Sequence, residues 1–112
     1  MKFYITLPDP DSARGANPAL SFSANGHNTF AEQLQHALSN RRFVEDWLAG
    51  MDEDEADQVD PALLAIDAKA KVSGKLHGLG IMLVADTVLN AAAFKHRMRQ
   101  LAGSHWQLVD VK

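Results

Sequence analysis

No cysteine occurs anywhere in the chain, which excludes disulfides, thiol chemistry and cysteine-ligated metals and removes the usual mark of a small secreted scaffold. Nor is there an apolar run approaching the length of a membrane span. The opening MKFYITLPDPD meets Pro8 and Asp9 too soon to build a signal-peptide core. These absences predict a cytoplasmic protein without membrane association. The 112 residues are 46% hydrophobic and 22% charged, ordinary values for one globular domain, 1–112, with a core of its own.

A net charge of −3 argues against a general nucleic-acid binder, yet the charge is unevenly placed. Residues 1–60 carry 11 acidic against 4 basic side chains, a net −7, and residues 61–112 carry 7 basic against 3 acidic, a net +4. An acidic and a basic surface on one small body follow from that asymmetry.

The pattern turns on 68–86, AKAKVSGKLHGLGIMLVAD. Two period-two runs flank His77-Gly78, with Ala70, Val72 and Leu76 in phase before it and Ile81, Leu83 and Ala85 after it. This is a β-hairpin signal, since X-Gly supplies the positive φ of a tight turn. Upstream, Phe3, Ile5 and Leu7 alternate with Lys2, Tyr4 and Thr6 as in a half-buried strand. Leu20, Phe22 and Ala24 alternate with Ser21 and Ser23, which predicts a short edge strand. Thr29 and Glu32 have capping-box spacing before a helix. That helix changes phase beyond Ser39-Asn40, from Phe30/Leu34/Leu38 to Phe43/Trp47/Met51. Either it breaks there, or it runs straight and buries its second stripe against something else, such as a partner subunit.

Gly50 is placed to end that helix. The run 52–60, six acids in nine residues, reads as a flexible, solvated linker. Asp60-Pro61 predicts one helical turn. Asn90 caps a two-sided helix to Ala102, with Gly103 as its stop. Trp106 to Val111 closes the chain as a strand covered on both faces or interrupted by a bulge, because Val109 and Val111 are out of phase with Trp106 and Leu108. The order is that of the α+β, ferredoxin-like βαββαβ sandwich, or ββαββαβ if the short edge strand forms. Such an architecture hosts many functions and selects none.

Motifs for chemistry are missing. The five histidines show no metal-ligand spacing. Ser73-Gly74-Lys75 lacks the upstream glycine and the following hydroxyl of a phosphate loop, and the acidic run lacks the glycine and terminal Glu of a calcium loop. No nucleophile elbow or triad spacing is present. The expectation is a non-enzymatic module without cofactor or metal. Two surfaces remain. Phe43, Trp47 and Met51 are aromatic and apolar candidates for a protein interface, with a homodimer or another protein as partner. Lys69, Lys71, Lys75, Lys95, Arg97 and Arg99 are the candidates of the alternative, a nucleic-acid-binding regulator. Against it stands the lack of stacking aromatics on the central strands, where Tyr4 is alone.

Overall fold

The computed structural model describes residues 1–112. Strand β1, Lys2–Leu7, buries Phe3, Ile5 and Leu7 completely, as its alternation requires. The hairpin follows the helical layer, with β2 at Lys71–His77 and β3 at Gly80–Asp86. His77 pairs with Gly80, so the turn has two residues, and Gly78 takes φ 63°. Glycine first in a two-residue turn is the sequence pattern of II′ hairpins. The closing strand β4 runs from Gln107 to Val111. All pairings are antiparallel, in the order β2-β3-β1-β4. The result is a small α+β domain with one four-stranded sheet.

Register in β4 shifts between Tyr4 and Ile5: Tyr4 faces Asp110 and Ile5 faces Leu108, leaving Val109 unpaired. One inserted residue rephases the strand. Leu108 and Val111 thereby both lie opposite inward residues, Ile5 and Phe3, which resolves the mixed phase of the sequence in favour of the bulge.

Helices α1, His27–Ser39, and α4, Ala91–Ala102, pack on the inner face through Phe30, Leu34, Leu38, Phe94, Met98 and Leu101. Phe94 stacks on Phe3 with ring centroids 4.1 Å apart and planes 10° from parallel. The chain breaks after Ser39: Asn40 is extended, and its side chain accepts from the Arg42 amide to start α2, Arg41–Ala49. The Leu38 carbonyl at the end of α1 accepts from the Asp67 amide. With the break, Phe43 and Val44 swing into the body of the molecule. Asp52 caps a five-residue helix α3, Glu53–Asp57, so the acidic run holds a helical turn with its carboxylates in solvent. Pro61–Leu64 is one 3-10 turn, capped by Asp60. No helix is long and apolar enough to cross a membrane.

Two local expectations fail for identifiable reasons. The edge strand over 19–24 does not form. Leu20, Phe22 and Ala24 are buried as their alternation implies, but the backbone bonds elsewhere. The Phe22 amide donates to the Leu101 carbonyl, the Ser23 amide to Gln33 Oε1, and the Leu20 and Ser21 amides to the Asn17 carbonyl. With its donors committed to the two helices and to its own turn, the segment has no ladder to join. The capping box is also absent: α1 starts at His27 after an extended Gly26, whose carbonyl accepts from the Phe30 amide. Thr29 is already helical and exposed, because one more turn fits before the Phe30/Leu34 stripe.

The loop ahead of residues 19–24 sits tightly on the end of α4. A Cβ at Gly15 would overlap the Gln100 carbonyl oxygen, so only a glycine permits this approach. Gly15→Ala is expected to lower the thermal midpoint by roughly 5–10 °C, as a steric cost of about 1–2 kcal/mol for pushing the loop off the Gln100 carbonyl implies for a domain of this size. An unchanged midpoint in a calorimetric scan would mean that the loop lifts away at no cost.

Candidate interaction surfaces

Because the helices cover one face of the sheet, the opposite face is open. Three cross-strand rows are read directly from the register: Lys71, Asp86 and Lys2; Ser73, Val84, Tyr4 and Asp110; Lys75, Met82, Thr6 and Gln107. Tyr4, Thr6, Met82 and Val84 form a half-buried central stripe with no element packed over them. Lysines occupy the β2 edge, and Lys112 lies 5.4 Å over the Tyr4 ring. At the hairpin end of this face Leu79 is 100% exposed and Val109 56%. There, Thr6, Leu79, Gln107 and Val109 border a shallow hollow of about 460 Å³.

The second feature is a groove of about 400 Å³ in the helical layer, between the end of α2, residues 16–20 and α4. Trp47, Met51 and Leu20 supply its apolar walls, and His96, Arg99 and Gln100 its polar ones. Trp47 packs against the core as well, with its ring 4.5 Å from that of His96 and tilted by 56°. His96 Nδ1 and Gln100 Oε1 are buried and have no hydrogen-bond partner. Burial holds the His96 pKa below the usual histidine value, and the neighbouring Arg97 and Arg99 charges push the same way. The imidazole is therefore neutral at pH 7.

The sequence candidates are divided by these geometries. Trp47 and Met51 share the groove, but Phe43 is only 7% exposed and belongs to the core. An interface anchor it is not: the break at Asn40 turns it inward. The six basic candidates do not make one surface. Lys69 lies in the turn before β2, Lys71 at the start of the strand and Lys75 farther along it, and Lys71 and Lys75 point to the open face. Lys95 and Arg99 stand on α4, beyond the other face.

Arg97 is not at the surface at all. Its side chain is wholly buried, donating from Nη1 to the Ala37 carbonyl at 2.7 Å and from Nη2 to the carbonyls of Leu63, at 3.0 Å, and Ala65. Its guanidinium lies 6.0 Å from the Phe43 ring centre, and burial lowers its pKa from the ordinary arginine value. The reason is topological. Helix α4 is flanked by the end of α1 and the Pro61–Leu64 turn, so a position polar on a helical wheel faces three unpaired carbonyls.

No family model, curated protein or solved structure matches the chain. The geometry alone therefore carries the functional reading. No group of three or more His, Asp or Glu side chains is placed to hold a metal ion. The sequence offers His96 only as one of five histidines without ligand spacing, and it offers no motif for Gln100. Their spacing of four on α4 was the one available signal, for it puts both on one helix face.

Proposed function

We propose that this chain is a non-enzymatic interaction module of ferredoxin-like architecture, cytoplasmic, whose partner on the open sheet face is a second copy of itself. The strand order β2-β3-β1-β4, wholly antiparallel with α1 and α4 on one side, supports the architectural name. The observation that carries the self-association reading is the distribution of side chains across the uncovered face. Its two central strands bear Tyr4, Thr6, Met82 and Val84, with Lys2 and Asp86 at one end, its β2 edge Lys71 and Lys75, and its β4 edge the ion pair of Asp110 and Lys112.

A twofold axis running along the strands would lay β2 of one copy over β4 of the other. Asp86 would then meet the opposing Lys2, and Lys71 and Lys75 would flank the opposing Asp110 beside its own Lys112, while the β3 side chains Met82 and Val84 meet Thr6 and Tyr4. An axis across the strands would instead oppose lysine to lysine. Charge thus selects one of the two arrangements. Four strands of this length present a face of about 20 Å by about 20 Å, or about 400 Å² in projection, against about 800 Å² per partner in a standard interface. The dimer is accordingly expected to be reversible and dependent on concentration.

Val84→Lys places a charge in the middle of that stripe at a position half-open in the monomer, so folding should survive it. Light scattering on size-separated protein, from about 10 μM to about 1 mM, should show the wild type passing from monomer to dimer and Val84→Lys remaining monomeric with a similar urea midpoint. A wild type that stays monomeric throughout overturns the reading. A monomer that shifts only with added nucleic acid at low salt, and loses the shift when Lys71 and Lys75 become Gln, would replace it with the nucleic-acid alternative.

A further inference from the structure

The geometry points to the groove between α2, α4 and residues 16–20 as a binding site for a small planar carboxylate, an aromatic or heteroaromatic acid. Its size, about 400 Å³, lies within the range of small-ligand sites, where apolar walls and a few fixed polar groups are the usual lining. Trp47 contributes a flat indole, and Leu20 and Met51 contribute apolar sides, which together favour a planar body over an extended polar chain.

Charge decides the sign of the ligand. Of the nine residues around the groove none is acidic, and Arg99 is the only formal charge. Arg99 is exposed and takes part in neither of the two ion pairs of the molecule, Arg42–Asp46 and Asp110–Lys112. A free guanidinium matches a carboxylate in two parallel charge-assisted bonds. Asn17 Oδ1 accepts from the Ala19 amide, which leaves its amide NH2 as a second donor on the opposite wall. A cation is disfavoured at the same place.

Two further polar atoms lie behind this surface. His96 Nδ1 and Gln100 Oε1 are closed off from solvent and have no protein partner, and unpaired buried polar atoms of this kind are uncommon enough to call for an explanation. A ligand carrying a ring N–H or hydroxyl beside its carboxylate would pair with Gln100 Oε1 once that side chain rotates toward the groove. The site sits in the helical layer and not on the sheet face, so it stands whether or not the chain self-associates.

Titration with 2-naphthoate, with 2-naphthamide as its uncharged counterpart, tests the assignment by amide and indole NMR shifts. The expected result is saturable shifts confined to Trp47, His96, Arg99, Gln100 and their neighbours. The amide and the Arg99→Gln variant should each bind at least about tenfold more weakly, as the loss of a charge-assisted pair implies. Arg99 is exposed, so that variant should keep the wild-type urea midpoint. Inorganic phosphate, an anion without a planar body, should leave these resonances unmoved at the same concentration. The assignment is overturned by no shifts at about 10 mM 2-naphthoate, by shifts spread over the sheet face, or by equal affinity for the amide or for Arg99→Gln.

Discussion

Replacing Arg97 with alanine is expected to destabilise the protein by about 3–5 kcal/mol, through buried carbonyls left without a donor and the cavity left by a large side chain. The side chain is wholly enclosed and serves the carbonyls of Ala37, Leu63 and Ala65. Without it those oxygens lose their donor, at about 1–3 kcal/mol for each one left dry, and a cavity opens beside Phe43. Relief from burying a charge offsets part of that sum. Against a total stability of about 5–15 kcal/mol for a domain, the variant should unfold at a far lower urea concentration. Arg97→Lys retains a charge but cannot span the carbonyls, so it should recover little. Arg97→Met is the decisive comparison, because it refills the volume without supplying a donor. If it unfolds at the wild-type midpoint, the carbonyl clamp contributes nothing and the reading fails.

Phe94→Ala is expected to cost a similar amount, about 3–5 kcal/mol, as for other fully buried phenylalanines. The mechanism differs. Phe94 joins α4 to the central strand through its stack on Phe3, and the loss is apolar contact and a void, with no polar atom stranded. Phe94→Leu should therefore keep much of the stability, in contrast to Arg97→Lys. Urea unfolding of the pair checks this. A loss for the alanine variant below about 1 kcal/mol would indicate that the layers collapse onto each other to fill the gap.

These two side chains sit three residues apart on one helix and were unequally legible. Phe94 lies in the apolar arc of α4, so its burial follows from period alone. Arg97 shares that helix with Lys95 and Arg99, and nothing nearby distinguishes it from them. Its partners are 60, 34 and 32 positions away, and a helical wheel contains only the residues of one helix. The same limit explains 19–24, where alternation correctly marks Leu20, Phe22 and Ala24 for burial but cannot say that the Phe22 amide finds Leu101 instead of a strand.

The candidate surfaces divide in the same way. That β2 and β3 each have an outward set, Lys71/Ser73/Lys75 and Met82/Val84, is implicit in period two. That they join Tyr4, Thr6 and Asp110 on one open face depends on register across three strand pairs. Trp47 and Met51 were recognisable as surface candidates, whereas His96, Arg99 and Gln100 come beside them only because the chain breaks at Asn40 and α2 turns back over α4.

What depends on neighbours within a few positions was legible in the chain: β1, the Gly78 hairpin, the Asp60 and Asn90 caps, the end of α4 at Gly103, and the α+β class that their order implies, whereas the break at Asn40 was one of two readings until the structure showed it. Hydrogen bonds and side-chain periods of that range are written into short stretches of chain. Tertiary structure alone decided that Arg97 is a buried clamp, that Phe43 is core, that the basic residues are divided between two sides, and that a groove lies beside Trp47. Each of these depends on where distant backbone comes to rest, and burial reassigns a polar side chain whenever unpaired carbonyls arrive next to it.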